Sequence, residues 1–417
     1  YGKTIYITHP NGYTSVYGHL SKFNTKIDAY VKRIQYKKEN YETGNIFPKK
    51  EAFILKKGQI IAFSGDTGGS GGPHLHFEIR DTKSEHVINP MLFGISIPDS
   101  KSPTIQSLLG YPLSEDARIN QQNNSHKISI KHMGNGKYIA DRVTASGTIG
   151  FGVHVFDRLD NAWNKNGIYS LEMLVNGKRH YYHDVSTFSF AESKYLNLLI
   201  DYSYYKKYKR RIQKTFKENK NELSIYKDLI NNGKINIKSG FNYSIEIIAK
   251  DIVGNTSSVK IPVIGKKSNA VFKKQKDTTA YKIIADNFQK FKKENVTIAF
   301  PKNTFYQDIY LDFKVDSGVA KVHTPSIPLN KSYTLTFNVS KYTAQEKEQL
   351  YIANTEYAKY PRYVNTRKKD TTFYTTTKTL GKYTLKIDTL KPDVKILYIY
   401  NKQWITSAKT LKVKVSD

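Results

Sequence analysis

The chain contains 417 residues, no cysteine, and 66 basic against 36 acidic side chains, which gives a formal charge of +30. This length is enough for about three or four domains, each with its own core. The lack of cysteine excludes disulfides and thiolate metal sites, so any bound metal must be held by His, Asp or Glu. The sequence has no apolar run long enough to span a membrane.

The positive charge has two interpretations. It could attract anionic polymers to a basic surface. It also accompanies a sequence rich in Lys, Asn, Ile and Tyr together, which an AT-rich genome produces without selection for binding. We favour the compositional explanation. No nucleic-acid-binding motif accompanies the charge, so we expect no nucleic-acid partner.

The chain opens with a predicted β-hairpin. Residues 4–8 and 13–19 are rich in Ile, Val, Thr and Tyr, which strands favour. Between them, residues 9–12 have the sequence His-Pro-Asn-Gly, which favours a turn. The second strand of the hairpin therefore ends at His19.

Residues 24–50 form a predicted insert between this hairpin and the next strand. Thr25 to Lys38 is predicted to be a helix, because Ile27, Val31 and Ile34 are spaced along one helical face. The residues after it, up to Lys50, are predicted to be a loop. The insert either walls a neighbouring groove or decorates the surface, and the sequence leaves both alternatives open.

A glycine-rich loop and two histidines follow. After a predicted strand at 60–64, residues 64–72 are mostly Gly, Ser and Thr, so a substrate backbone could approach this loop closely. Residues 74–79 are predicted to form a strand. Because residues i and i+2 of a strand share a face, His74 and His76 should project into one site. One neutral imidazole can bind a metal while the other moves protons near neutral pH.

Four sequence blocks occur in the order found in a known peptidase family. They are Tyr-Gly-His-Leu-Ser at 17–21, Lys-Gly-Gln-Ile-Ile-Ala-Phe-Ser-Gly-Asp-Thr-Gly at 57–68, Gly-Pro-His-Leu-His-Phe-Glu-Ile-Arg at 72–80 and Asn-Pro at 89–90. Roughly the first 95 residues thus resemble the M23 peptidases. These are the lysostaphin/LytM-type zinc endopeptidases, which cut peptide bonds in peptidoglycan. The resemblance implies a mostly antiparallel β catalytic domain.

The resemblance also implies roles for three histidines. His76, the second His of His-x-His, would be a ligand of a zinc ion (Zn²⁺), the implied cofactor. His74 and His19 would lie beside the zinc, where they would orient or deprotonate the attacking water and stabilise the oxyanion. The zinc would polarise the scissile carbonyl and lower the pKa of its bound water.

The chain departs from the family pattern in one respect. The family's other two zinc ligands come from a His-x-x-x-Asp motif that precedes the block beginning here at Tyr1, and this chain does not contain it there. We therefore expect an N-terminally truncated sequence that by itself binds zinc poorly and is inactive. A His-x-x-x-Asp sequence does occur from His180 to Asp184, but it lies after His-x-His, and we interpret it as a surface loop.

Beyond the first domain, short strands with turn residues between them predict β-sandwiches, so the fold class is mostly β. The predicted domains are the partial M23-type domain at 1–98 with its insert at 24–50, an Ig-like β-sandwich at 103–265, a second β-sandwich at 266–390 and the start of a further β domain at 391–417.

Three features of the first sandwich receive structural interpretations. Asp157 and Asp251 follow predicted strands, but no Asp-x-Asp-x-Asp loop accompanies them, which favours turn caps over a calcium site. Residues 202–211 interleave Tyr with Lys and Arg, which could bind glycans by stacking, or nucleic acid, although a solvated loop or helix is the simpler interpretation. Helix is expected at 25–38 and within 203–230, with little elsewhere.

Two functional hypotheses follow. The first is a zinc metalloendopeptidase that hydrolyses peptide cross-links of bacterial peptidoglycan in wall remodelling or lysis. The alternative is a catalytically inactive M23-like envelope protein that binds and activates another wall hydrolase. The three retained histidines favour the enzyme. The implied partners are a peptidoglycan peptide and, through the basic surface, anionic envelope polymers. The implied location is the periplasm, the cell envelope or the exterior.

Overall fold

A computed structural model describes residues 1–267, 278–357, 359–400, 402–404 and 411–416. The chain is mostly β, with 44% of residues in strands and 11% in helices, which confirms the predicted fold class. It divides into two compact units, Tyr1–Asp201 with Arg210–Phe272, and Tyr202–Lys209 with Lys273–Asp417. The domain limits proposed from the sequence stay predictions. In the predicted domain at 391–417, residues 401, 405–410 and 417 lie outside the described residues.

The elements of the first 98 residues are β1 (Ile5–Thr8), β2 (Tyr13–Gly18), β3 (Lys22–Phe23), α1 (Thr25–Lys38), β4 (Ala62–Phe63), β5 (His76–Asp81), β6 (Val87–Ile88) and a 3-10 helix at Pro90–Phe93. The helix α1 has the predicted bounds. The side chain of Asn24 accepts a hydrogen bond from the Ile27 backbone N–H at 3.0 Å and caps its start. Glu39 ends it in a left-handed conformation at φ 48°.

The next elements are β7 (Thr104–Pro112), β8 (Arg118–Ile119), β9 (His126–Ile128), β10 (Ile130–Gly134), β11 (Lys137–Ala140), β12 (Val143–Phe156), β13 (Ser170–Val175), β14 (Lys178–Asp184), β15 (Thr187–Phe188), α2 (Leu196–Leu199), α3 (Tyr202–Tyr208), β16 (Gln213–Lys214), β17 (Tyr226–Leu229), β18 (Ile235–Ile237), β19 (Asn242–Lys250) and β20 (Thr256–Gly265), with 3-10 helices at Phe190–Tyr195 and Asn231–Gly233. Of the helix expected within 203–230, only α3 forms. It stops because Lys209 takes a left-handed φ of 58°.

The remaining elements are β21 (Tyr281–Ile283), β22 (Gln289–Lys293), β23 (Val296–Phe300), β24 (Ile309–Leu311), β25 (Phe313–Asp316), β26 (Val319–Val322), β27 (Tyr333–Asn338), α4 (Ala344–Gln349), β28 (Leu350–Asn354), β29 (Arg362–Val364), β30 (Arg367–Lys369), β31 (Thr372–Thr377), β32 (Gly381–Ile387), β33 (Asp393–Leu397) and β34 (Lys412–Ser416). In the described part of the chain, no helix combines the length and apolarity needed to cross a bilayer.

The first unit contains a small sheet and a sandwich. The small sheet has the order β1-β2-β5-β6-β15, and all its pairings are antiparallel. Its last strand, β15, lies far along the chain, so hydrogen bonds such as the Thr187–Ile88 pairing attach the N-terminal region to the elements that follow.

The sandwich of the first unit is organised around β12. This 14-residue strand pairs with β7, β16 and β18 on one sheet and with β8 and β20 on the other. Its alternate residues Ile149, Phe151 and Val153 are fully buried, as their alternation predicts. Burial of such side chains stabilises each by about 1.5–3 kcal/mol relative to exposure.

Two five-stranded sheets form the sandwich of the second unit, in the orders β22-β23-β27-β31-β30 and β25-β26-β32-β28-β29. Phe300, Tyr333 and Phe337 are buried between them. Strands β24 and β25 are separated by Asp312, whose backbone N–H donates to the His323 ring at 3.1 Å. The chain changes partners there, because β24 pairs with β21 and β25 pairs with β26.

Candidate functional site

The hairpin brings His19 next to His76. Strand β2 pairs with β5, and Gly18, its last residue, lies opposite His76. A Cβ on Gly18 would lie 3.2 Å from the Cβ of His76, so the small residue allows this close pairing. His19 follows at once, and its backbone N–H donates to the Tyr1 carbonyl at 2.9 Å. Its φ of 57° is left-handed, a conformation that is uncommon away from glycine and is often found at functional sites.

The structure corrects the predicted placement of His74. Strand β5 begins at His76, and His74 instead lies in an isolated bridge with Gly65, to whose carbonyl its N–H donates at 3.0 Å. The argument that His74 and His76 share a strand face is therefore wrong in detail. The bridge to Gly65 nevertheless places His74 close to His19 and His76.

His19, His74 and His76 converge. One ring nitrogen of each lies within 4.8 Å of one ring nitrogen of the other two. The ring centroids of His19 and His74 are 4.8 Å apart, and those of His19 and His76 are 5.5 Å apart. His19 is buried, His76 is half-buried and His74 is exposed, so the cluster opens to solvent on the His74 side.

Each imidazole is held by one ring nitrogen. Nδ1 of His19 lies 2.8 Å from the Thr67 carbonyl, and Nδ1 of His74 lies 2.8 Å from the Gly72 carbonyl. Nε2 of His76 lies 2.5 Å from the Glu78 carboxylate. Because these oxygens accept hydrogen bonds, the held nitrogen carries the proton in the neutral ring. The other nitrogen of each ring therefore offers a lone pair to a proton or a metal.

Glu78 connects this cluster to two further side chains. Arg80 donates to its Oε2 from Nε at 2.6 Å, and the Tyr1 side chain also hydrogen-bonds to it. Burial alone would raise the pKa of Glu78, but the hydrogen bonds from His76, Arg80 and Tyr1 outweigh it and lower the pKa below its usual value. Glu78 is thus an anion that faces His76 at neutral pH.

Sequence reasoning missed the role of Glu78, although its position carried a signal. Glu78 lies two residues after His76 on the same strand, so the rule that placed the histidines also places this carboxylate on the His76 face. The carbonyls of Thr67 and Gly72 carried no such signal, because a backbone oxygen has no side-chain identity and its direction depends on the loop.

The glycine-rich loop has a packed part and an open part. A Cβ on Gly68, whose φ is 78°, would lie 2.4 Å from the backbone nitrogen of Gly2. Cβ atoms on Gly69, Gly71 and Gly72 would meet nothing within 4 Å. Gly68 therefore fixes the loop against the N-terminal residues, while the open glycines leave free space next to His74.

The insert lines a cleft of about 480 Å³, whose lining begins at Lys22, a few residues after His19 in the sequence. Its lining includes Thr25, Asp28 and Lys32 of α1, together with Phe23 and Phe63. The Ser21 backbone N–H, two residues after His19, donates to the Phe63 carbonyl at 2.9 Å. Both alternatives for the insert, a wall of the substrate groove and a surface decoration, therefore stay predictions.

The His180–Asp184 sequence is not the predicted surface loop. It forms most of β14, in which Tyr181 and His183 are buried. Nε2 of His180 lies 3.0 Å from the Lys234 carbonyl, and Asp184 accepts hydrogen bonds from Ser186. Among the described residues, these two side chains do not belong to any cluster of metal-ligating groups.

The donor set of the histidine cluster fits zinc. Neutral imidazole nitrogens are ligands that this ion prefers. The cluster offers such nitrogens within 4.8 Å of one another, so one ring can hold the ion while the other two lie beside it. The carboxylate of Glu78 on the far nitrogen of His76 is the outer partner that zinc-binding histidines commonly have.

Comparison with known proteins gives two partial similarities. Residues 280–388 match the family model of the Zu5-like domain. The DD-carboxypeptidase/endopeptidases Mpg of Neisseria meningitidis serogroup B and Neisseria gonorrhoeae are 30% identical to the chain over 99 residues. That stretch is 24% of this chain, which spans 17% of the length of these relatives.

Proposed function

We propose that the chain belongs to a zinc-dependent endopeptidase that hydrolyses peptide cross-links of bacterial peptidoglycan. The observation that carries the proposal is the convergence of three imidazoles, each held by one nitrogen and free at the other. The 30% identity with DD-carboxypeptidase/endopeptidases supports the same class of reaction. A substrate of this kind also places the protein outside the cytoplasm, in the periplasm, the envelope or the exterior.

His76 is the proposed zinc ligand, through Nδ1. Glu78 holds its Nε2–H, fixes the tautomer and increases the basicity of the ring. The resemblance places two further ligands in a His-x-x-x-Asp motif that precedes Tyr1 in the family. When bound, zinc supplies Lewis-acid polarisation of a carbonyl oxygen and acidification of water.

His19 and His74 are the proposed proton carriers. The carbonyls of Thr67 and Gly72 fix their Nδ1–H groups, so each Nε2 can accept a proton from the attacking water. A ring that has taken the proton becomes an N–H donor and can then stabilise the oxyanion. Because His74 is exposed and His19 is buried, His74 meets the substrate first and His19 forms the floor of the site.

The open glycines are the proposed seat of the substrate backbone. Free space at Gly69, Gly71 and Gly72 lets a peptide lie next to His74 without meeting side chains. The cleft beside α1 is the proposed continuation of this groove, and it would hold a further part of the peptidoglycan peptide.

The test measures release of peptides from purified peptidoglycan by the full-length protein. Removal of metal with a chelator should abolish hydrolysis, and zinc should restore it. We expect His19→Ala to lower the rate by about 10²–10⁴-fold, the usual effect of losing an acid–base group. His132→Ala is the matched control, because this exposed histidine stacks on Tyr138 away from the cluster, and it should retain the full rate.

Hydrolysis that survives complete metal removal, or full activity of His19→Ala, would contradict the proposal. Binding of peptidoglycan without any hydrolysis by the full-length protein would support the alternative, a non-catalytic protein that activates another wall hydrolase.

A further inference from the structure

A second cluster of possible metal ligands lies away from the histidines. One carboxylate oxygen from each of Asp99, Asp157 and Asp251 lies within 4.8 Å of one from the other two. The three residues come from different parts of the first unit. Asp99 lies in the segment that leads into β7, Asp157 follows β12 directly and Asp251 follows β19 directly.

Two of the three carboxylates are buried, and Asp99 is half-buried. Asp157 is 4% exposed and Asp251 is 2% exposed, so water cannot screen their charges well. Burial first, and then the charges of Asp99 and Asp251, raise the pKa of Asp157 to about 6. The crowding of three carboxylates in such a place disfavours the folded state unless a cation compensates them.

Two oxygens of the cluster have no partner among the residues that the structure describes. Oδ1 of Asp157 and Oδ2 of Asp99 are buried without a hydrogen bond. Buried polar atoms are nearly always paired, so an unpaired carboxylate oxygen on a nearly fully buried residue indicates an absent partner. The turn-cap interpretation is correct for Asp251, which accepts from the Gly254 and Asn255 backbone N–H groups at 2.7 and 2.9 Å. For Asp157 it leaves Oδ1 unexplained.

The neighbouring lysine does not supply the missing charge. Lys101 lowers the pKa of Asp157 only as a minor influence. Its ammonium group donates to the Leu159 carbonyl at 3.2 Å and lies 3.9 Å from Asp160, a carboxylate outside the cluster. Half of its side chain is exposed. Three carboxylates with one displaced ammonium group leave an excess negative charge that suits a divalent cation.

The donor set selects the kind of cation. Only oxygen ligands are offered, which favours hard ions such as calcium and magnesium over zinc. Oxygens on opposite sides of a calcium ion are about 4.6–5.2 Å apart, because calcium–oxygen bonds are about 2.3–2.6 Å. Around magnesium the same separation is only about 4.0–4.2 Å. The cluster oxygens lie within 4.8 Å of one another, which both ions allow. Magnesium keeps several of its waters, whereas calcium accepts several protein carboxylates in a flexible shell, so three carboxylates in this place favour calcium.

We propose that Asp99, Asp157 and Asp251 bind a calcium ion that ties the segment entering the sandwich to the ends of β12 and β19. Asp251 is already oriented by its turn, since Asn255 donates to both of its carboxylate oxygens. The same Asn255 side chain donates to the Asp99 carbonyl at 3.2 Å and holds that segment nearby. The ion would thus fix the junction between the N-terminal region and the sandwich.

The test titrates calcium and magnesium into metal-free protein, with heat of binding and melting temperature as readouts. We expect one calcium per chain, weaker magnesium binding, and a rise of about 5 °C or more in the melting temperature at saturating calcium. Asp157→Asn should abolish the calcium response without lowering the melting temperature of the metal-free protein, because it removes like-charge repulsion. This second readout separates loss of the site from loss of the fold.

Asp228→Asn is the matched control, because Asp228 is a well-exposed carboxylate that pairs with Arg179, and it should keep the calcium response. Absence of calcium binding at about 10 mM, far above the range for extracellular calcium modules, would overturn the proposal. So would an unchanged calcium response in Asp157→Asn, an equal response to magnesium, or a response lost equally in Asp228→Asn. Peptidase activity does not enter this test, so its outcome is independent of the histidine cluster.

Discussion

Nε2 of His76 lies 2.5 Å from Oε1 of Glu78, the residue two positions further along the same strand. This hydrogen bond leaves Nδ1 as the only ring nitrogen of His76 with a free lone pair in the neutral ring. The carboxylate is itself fixed, because Arg80 occupies its other oxygen at 2.6 Å. The chain therefore orients one imidazole of the cluster through a buried anion and a half-buried cation.

We expect Glu78→Ala to weaken zinc binding by the full-length protein about 10–100-fold, the usual effect of removing an outer partner of a metal ligand. Glu78→Gln should weaken it less, because the amide oxygen can still accept the His76 N–H. Zinc affinity is measured by competition with a chelator. Glu115→Ala, at an exposed glutamate, is the control. An affinity of Glu78→Ala equal to that of the wild type would show that this hydrogen bond does not orient a ligand.

Substitutions of the two histidines of His-x-His should have different effects on zinc binding and on the rate of hydrolysis. His76→Ala should lose zinc, because loss of one ligand weakens such a site outright. His74→Ala should keep zinc and lose about 10²–10⁴-fold in rate, as expected for a proton carrier. The measurements are zinc content and peptidoglycan hydrolysis of the full-length protein. Zinc lost in His74→Ala and kept in His76→Ala would reverse the two assignments.

Two glycines of one loop should respond differently to the same substitution. Gly68→Ala should lower the stability of the protein by about 1–3 kcal/mol, because its Cβ would lie 2.4 Å from the Gly2 nitrogen and its φ is 78°. Gly71→Ala should leave stability nearly unchanged, since its Cβ would meet nothing within 4 Å. Urea unfolding measures both. Equal destabilisation by the two variants would mean that the loop does not pack against the N-terminal residues.

Buried His183 should make the first unit less stable in acid. Burial lowers its pKa to about 4, a shift that the charge of Asp184 only partly opposes. Between pH 6.5 and 4 the unfolded chain therefore binds more protons at this residue, and the free energy of unfolding should fall by up to about 1.4 kcal/mol per pH unit as the pH decreases. Above pH 6.5 the contribution is fully present.

The measurement compares urea unfolding of the wild type and His183→Gln at pH 7 and pH 5. The variant should lose less stability between the two values, whereas His180→Gln, on the same strand, retains His183 and should behave as the wild type. The raised pKa of Asp157, about 6, changes the free energy of unfolding in the opposite direction below pH 6. All three proteins contain Asp157, so its effect cancels when their stabilities are compared. An identical loss of stability in His183→Gln would contradict this prediction.

Local periodicity was enough to predict several elements. Helix α1 has the predicted bounds because its apolar spacing and the Asn24 cap are local properties. The hairpin predicted at 4–8 and 13–19 forms as β1 and β2, with each end within one residue of the prediction, because strand-favouring residues around a turn sequence are also a local property. The order of the sequence blocks, through the family resemblance, also predicted that His19, His74 and His76 meet, which the structure shows, although their chemical roles stay predictions.

The tertiary structure decided what local patterns do not encode. The sequence could not show that β15 completes the N-terminal sheet, or that His74 lies in a bridge before β5 rather than on it. From the sequence, Asp157 and Asp251 are interpreted as separate turn residues, whereas packing brings them together with Asp99. Periodicity reports which face of its own element a side chain takes, but the distance between residues of different elements depends on how those elements pack, and that is fixed only when the whole chain folds.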